Sequence, residues 1–87
     1  MAKRQVFSIY DSKAEAHLQP FFMDTVGMAT RAVQDCLSDP EHQFNRHPED
    51  YTLFHLGTFD DANGEFSMDI KKSLGNLIEL FPPALIK

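Results

Sequence analysis

Apolar positions recur along the chain with two spacings, and the switches between them mark out its elements. Residues 5–11 read QVFSIYD. In an extended chain Val6, Ser8 and Tyr10 point one way, and Phe7 and Ile9 the other. Both faces carry apolar groups, which predicts a strand with cover on each side. Residues 12–16 (SKAEA) are polar and turn the chain, and residues 18–23 (LQPFFM) return as a short strand. Pro20 has no N–H to give a ladder, so that strand belongs at an edge.

The spacing then becomes helical. With Asp24 or Thr25 as N-cap, Val26, Ala29, Ala32 or Val33, Cys36 and Leu37 fall on one stripe, with Arg31, Gln34 and Asp35 opposite. Ser38-Asp39-Pro40 ends this helix, because the residue before a proline resists the α region. A polar loop over residues 41–50 follows. Residues 51–59 (YTLFHLGTF) form the strongest strand. Tyr51, Leu53, His55 and Phe59 are placed on one side, and Thr52, Phe54, Leu56 and Thr58 on the other. The run Asp60-Asp61-Ala62-Asn63-Gly64 is a turn, with Asn-Gly suited to positive φ, and residues 65–68 return as a hairpin strand. Asp69 caps a predicted second helix, with Ile70, Leu74, Leu77, Ile78 and Phe81 on its stripe and Pro82-Pro83 as its stop.

The expected architecture is α+β: a small three- to four-stranded, mostly antiparallel sheet with two helices on one face, in the order β-(β)-α-β-β-α. Residues 1–87 make a single domain, with residues 82–87 as a flexible or partner-docking tail. A chain of 87 residues is near the lower limit for folding without disulfides or metals, and has little spare volume for a deep pocket. An apolar fraction of 43%, with eight Phe, places it among globular proteins. Cys36 is the single cysteine, so no internal disulfide forms and a reducing compartment is expected. The N-terminus lacks the apolar core of a signal peptide, and no apolar run is long enough to span a membrane. A net charge of −5 repels nucleic acid and anionic lipid on average.

Three of the four histidines (His42, His47, His55) lie in EHQFNRHPEDYTLFHLG, residues 41–57. His42 and His47 have a spacing found in zinc sites, but no second ligand pair accompanies them, so no metal or other cofactor is expected. Cys36 lies on the apolar stripe of the first helix and reads as a small buried hydrophobe rather than a nucleophile. The four glycines are scattered, which excludes a phosphate-binding fingerprint. Nothing here specifies an enzyme. Pro48 holds His47 extended at the entrance to the strong strand. Phe44 is read as a lid over the core, with a contact to a partner or a base, shared with Arg46, as the functional alternative. Lys71 and Lys72 would open the second helix, where the dipole disfavours cations, and so mark candidate phosphate contacts. The candidate nucleic-acid or partner contacts are therefore Lys3, Arg4, Lys13, Phe44, Arg46, Lys71 and Lys72. Leu85 and Ile86 are candidate oligomer contacts. A sheet face without helix cover is commonly closed by a second copy, which makes a homo-oligomer the expected state.

Three stretches, YDSKAEAHLQPFF (residues 10–22), DPEHQFNRHPEDYTLF (39–54) and GTFDDANGEF with SLGNLIEL behind it, together resemble the small nonstructural protein of gokushoviruses, single-stranded-DNA microviruses of bacteria. The likeness runs from about Val6 to Leu80. It implies a non-enzymatic protein of the host bacterial cytoplasm that acts in single-stranded genome replication or packaging. It would bind DNA, or viral replication or procapsid proteins; the alternative is a pure protein–protein module without DNA contact. The resemblance carries no catalytic residues.

Overall fold

The computed structural model describes residues 3–69 and 71–81. Two long strands, β1 (Lys3–Asp11) and β4 (Tyr51–Asp60), pair antiparallel along their length and form the centre of a six-stranded sheet. Each is flanked by an edge strand broken in two. β2 (Ala16–His17) and β3 (Phe21–Met23) both pair with β1, and Pro20 falls in the break between them. On the far side β5 (Glu65–Ser67) and β6 (Lys72–Asn76) both pair with β4. Every pairing is antiparallel.

The first helix, α1 (Val26–Leu37), follows the sequence pattern except at Val26, which is exposed rather than part of the buried stripe. Thr25 is its N-cap, its Oγ1 accepting the Met28 N–H at 3.1 Å, and Ser38 ends it. Ala29, Val33 and Leu37 are its buried stripe. They pack on Phe7, Ile9, Tyr51 and Leu53 of the central strands, so the core lies on one face of the sheet. Phe44 and Leu77 close its ends.

Residues 41–50 are more ordered than a polar loop. His42 caps a single-turn helix, α2 (Gln43–Arg46), by accepting the Phe44 N–H on Nδ1, and a 3₁₀ turn over Pro48–Asp50 leads into β4. Phe44 is buried against Tyr51, with ring centroids 4.8 Å apart. It is the core lid.

Among the described residues 71–81 the predicted second helix is absent. Residues 72–76 are instead the edge strand β6, and a 3₁₀ turn over Leu77–Glu79 follows. No described helix begins after Asp69, and Lys72 lies in β6 rather than at a helix start. The structure does have two helices, but the second is the single-turn α2, and the sheet has six strands where three or four were expected. Two sheet irregularities shift the expected faces. Val6 lies opposite Gly57 while Phe7 lies opposite His55, which leaves Leu56 as an extra residue in β4. Beyond this bulge the alternation is displaced, and Phe59 joins the face away from the core. A similar shift between Leu53 and Phe54 leaves Leu74 extra in β6, beside Gly75 at φ +128°. The hairpin loop after β4 has four residues, with only Gly64 at positive φ. Ile70, Leu85, Ile86 and the tail 82–87 lie outside the described residues.

Candidate functional site

The sheet face opposite α1 carries no helix among the described residues, and its side chains are largely aromatic. Local geometry puts them there. The Asp11 carboxylate accepts the N–H groups of Lys13 and Ala14, tightening the turn after β1. Glu15 completes that turn at φ +57°. The returning β2 then sets His17 opposite Tyr10. The His17 ring packs against Tyr10 at 5.1 Å and Phe54 at 5.3 Å, and its Nδ1 shares a 2.6 Å hydrogen bond with the buried Ser8 Oγ.

Farther along the same face β3 places Phe22 opposite Val6, and the β4 bulge brings Phe59 round to meet it. Phe66 of β5 completes a three-ring cluster, with centroids 5.5 Å (Phe22–Phe59), 4.7 Å (Phe59–Phe66) and 6.3 Å (Phe22–Phe66) apart. Phe22, Phe66 and Met68 are 37%, 54% and 48% exposed, which makes an apolar patch open to solvent. From His17 toward Met68 runs a cavity of about 320 Å³ lined by Ser8, His17, Leu18, Pro20, Leu56, Met68 and Lys71.

The two ends of this face differ in charge. Beside the phenylalanine cluster Arg4 lies 4.0 Å from an Asp24 oxygen and 3.7 Å from Asp61, so two carboxylates offset one cation. The cavity lining contains Lys71 and His17 and no carboxylate. Lys71 also has an unusual backbone, φ +30°, held by its N–H donating to the Leu56 carbonyl at 3.3 Å.

The cations predicted as contacts do not converge into one groove. Lys3 opposes Asp60 at the start of β1, Lys13 lies in the turn after β1, and Lys72 opposes His55 in β6. Arg46 is exposed and lies 3.7 Å from Glu41, on the helix-bearing side with the buried Phe44. Of the set, Arg4 lies opposite Phe59 and Lys71 lines the cavity, which places both on the aromatic face. Sequence reasoning passed over Tyr10, His17, Phe22, Phe54, Phe59 and Phe66. The available signal was the apolar content of both faces of β1 and β4.

The histidines of residues 41–57 separate. His42 caps α2, and His55 is buried in the sheet, stacked on Phe7 at 5.0 Å with its Nε2 2.9 Å from the Gln5 amide oxygen. His47 instead joins Glu49 and Asp50, whose ligand atoms fall within 4.8 Å of one another. These three come from one 3₁₀ turn and the residue that precedes it, and His47 and Glu49 are exposed. The Cys36 thiol is pushed above its ordinary range, first by burial and then by the Asp35 and Asp39 carboxylates. Burial likewise raises the Tyr51 phenol, with Asp11 and Asp50 adding to it. No helix among the described residues is long and apolar enough to cross a membrane.

A family model described as Phage ORF5 protein matches residues 4–80. No curated protein and no solved structure matches the chain.

Proposed function

The chain belongs to the Phage ORF5 protein family, and from that premise we propose that it is a non-enzymatic phage accessory protein that binds single-stranded DNA on the helix-free face of its sheet. In this reading it acts in genome replication or packaging in the host cytoplasm, as its resemblance to the gokushovirus nonstructural protein implies, and it works as a homo-oligomer. The observation that carries DNA binding is that face itself: the rings of Tyr10, His17 and Phe54 cluster on it beside a cavity whose lining holds Lys71 and no carboxylate. Unpaired bases stack on such platforms without regard to sequence, each contributing on the order of 1–3 kcal/mol. A duplex hides its base faces and gains nothing from them. Stacking also suits a chain with a net charge of −5, whose phosphate attraction is confined to local cations.

Purified protein should retain single-stranded DNA at about 50 mM salt and release it as salt rises, with a shallow slope reflecting few phosphate contacts. No retention at that salt overturns the reading. A protein–protein module, serving as an adaptor to the procapsid or the host machinery, is the second reading. It is favoured by the exposed Phe22–Phe59–Phe66 cluster and the carboxylates beside it.

A further inference from the structure

Resting on the DNA-binding reading, we infer that the cavity between His17 and Lys71 is a nucleotide subsite: it takes one unstacked base of the strand, with that nucleotide's phosphate at Lys71. At about 320 Å³, the cavity is at the small end of ligand pockets. Its lining combines the three parts that a nucleotide needs. Leu18, Pro20, Leu56 and Met68 supply apolar walls for the faces of a flat ring. His17 supplies a polar atom at one end, where a base edge has its donors and acceptors, and Ser8 fixes its ring. Lys71 supplies the cation.

The polar end is built rather than incidental. Ser8 is 1% exposed and its hydroxyl is fixed at 2.6 Å to His17 Nδ1, while the ring packs against Tyr10 and Phe54. With Nδ1 committed to Ser8, Nε2 has no protein partner among the described residues and is free for a base. Lys71 is held by a backbone conformation that a lysine rarely adopts, and such strain is commonly stored where a side chain must be aimed. No carboxylate lines the cavity, so an entering phosphate meets no like charge there. The phenylalanine end of the same face has Asp24 and Asp61 beside Arg4 and offers no comparable site.

The test uses full-length protein, a thymidine oligonucleotide, and an abasic oligonucleotide of equal length, with affinity read by fluorescence anisotropy. Wild type should prefer the base-bearing strand. His17→Gln, which can keep a hydrogen bond to Ser8, should lower affinity for that strand by about tenfold and leave the abasic strand unchanged. Lys71→Met should weaken both strands alike and reduce the salt slope by about one phosphate contact. As a measurement independent of any variant's folding, titrating wild type with thymidine 5′-monophosphate should shift the amide resonances of Ser8, His17, Leu56 and Lys71 above all others. If wild type binds DNA but shows no preference over the abasic strand, or if the mononucleotide shifts map elsewhere, the subsite is overturned and general DNA binding survives. If wild type binds neither strand, the broader reading is what has failed.

Discussion

At the scale of single residues, Gly57 is the glycine with least room for a side chain. A Cβ there would overlap the Ser67 carbonyl oxygen and lie 2.9 Å from the Met68 Cα, both backbone atoms of the segment leaving β5. Gly57→Ala should therefore cost about 1–3 kcal/mol, read as a lowered urea midpoint, because backbone must move to admit the methyl. An unchanged midpoint would show that the crossing of residues 67–68 over β4 is wrong. Cys36 gives a chemical check on the first helix. Its thiol is half-buried and held above its ordinary pKa, so the thiolate is scarcer than in a free peptide at any pH below that range. Iodoacetamide should label native protein more slowly than urea-unfolded protein, and the difference should narrow as pH rises. The sequence already made Cys36 a buried hydrophobe from its place on the apolar stripe. It did not disclose that His42 caps a helical turn or that His55 meets Gln5, since those roles depend on partners set by folding.

At the scale of elements, the sequence is reliable where one spacing has no rival. Thr25, the Ala29–Val33–Leu37 stripe and the Pro40 stop all point to α1, and Pro20 settles an edge. The failure came at residues 70–81, where Leu74, Leu77, Ile78 and Phe81 recur at helical intervals by chance. A bulge at Leu74 and Gly75, followed by a 3₁₀ turn, gives the same spacing on an extended chain. Leu77 is fully buried while its neighbour Ile78 is 53% exposed, a contrast set by the turn after the strand. Gly75→Ala distinguishes the two structures by sign. In a helix interior the substitution would stabilise by about 1 kcal/mol. At φ +128°, with Glu79 Oε1 3.2 Å from the new Cβ, it should destabilise instead. A raised thermal midpoint for Gly75→Ala would reinstate the helix. The bulge at Leu56 was equally hidden, and it decided the candidate site, because it moved Phe59 from the core side to the Phe22 side.

At the scale of the whole molecule, the aromatic face has to serve both DNA and the proposed self-association, and its charge distribution divides it. The Lys71 end has no carboxylate in its lining, whereas the Phe22–Phe59–Phe66 end has Arg4 held between Asp24 and Asp61. A patch that pairs exposed rings with both signs of charge is self-complementary. Under a two-fold axis the Arg4 of one copy can meet the carboxylates of the other while the rings cover one another. DNA would meet the same carboxylates as repulsion. The proposed division is thus a second copy on the phenylalanine end and a nucleotide at the Lys71 end. Joining two copies this way sets two weak cationic cavities along one strand and raises avidity without a basic monomer. Phe66→Glu tests it, since Phe66 is 54% exposed and its loss should cost the fold little. Sedimentation at micromolar protein should give a multiple of the chain mass for wild type and a single chain for the variant. Its affinity for a long single strand should fall while that for a short oligonucleotide, spanning one copy, stays the same. An unchanged mass would remove the phenylalanine cluster from the interface. Equal losses on short and long strands would place DNA, rather than a second copy, on those rings.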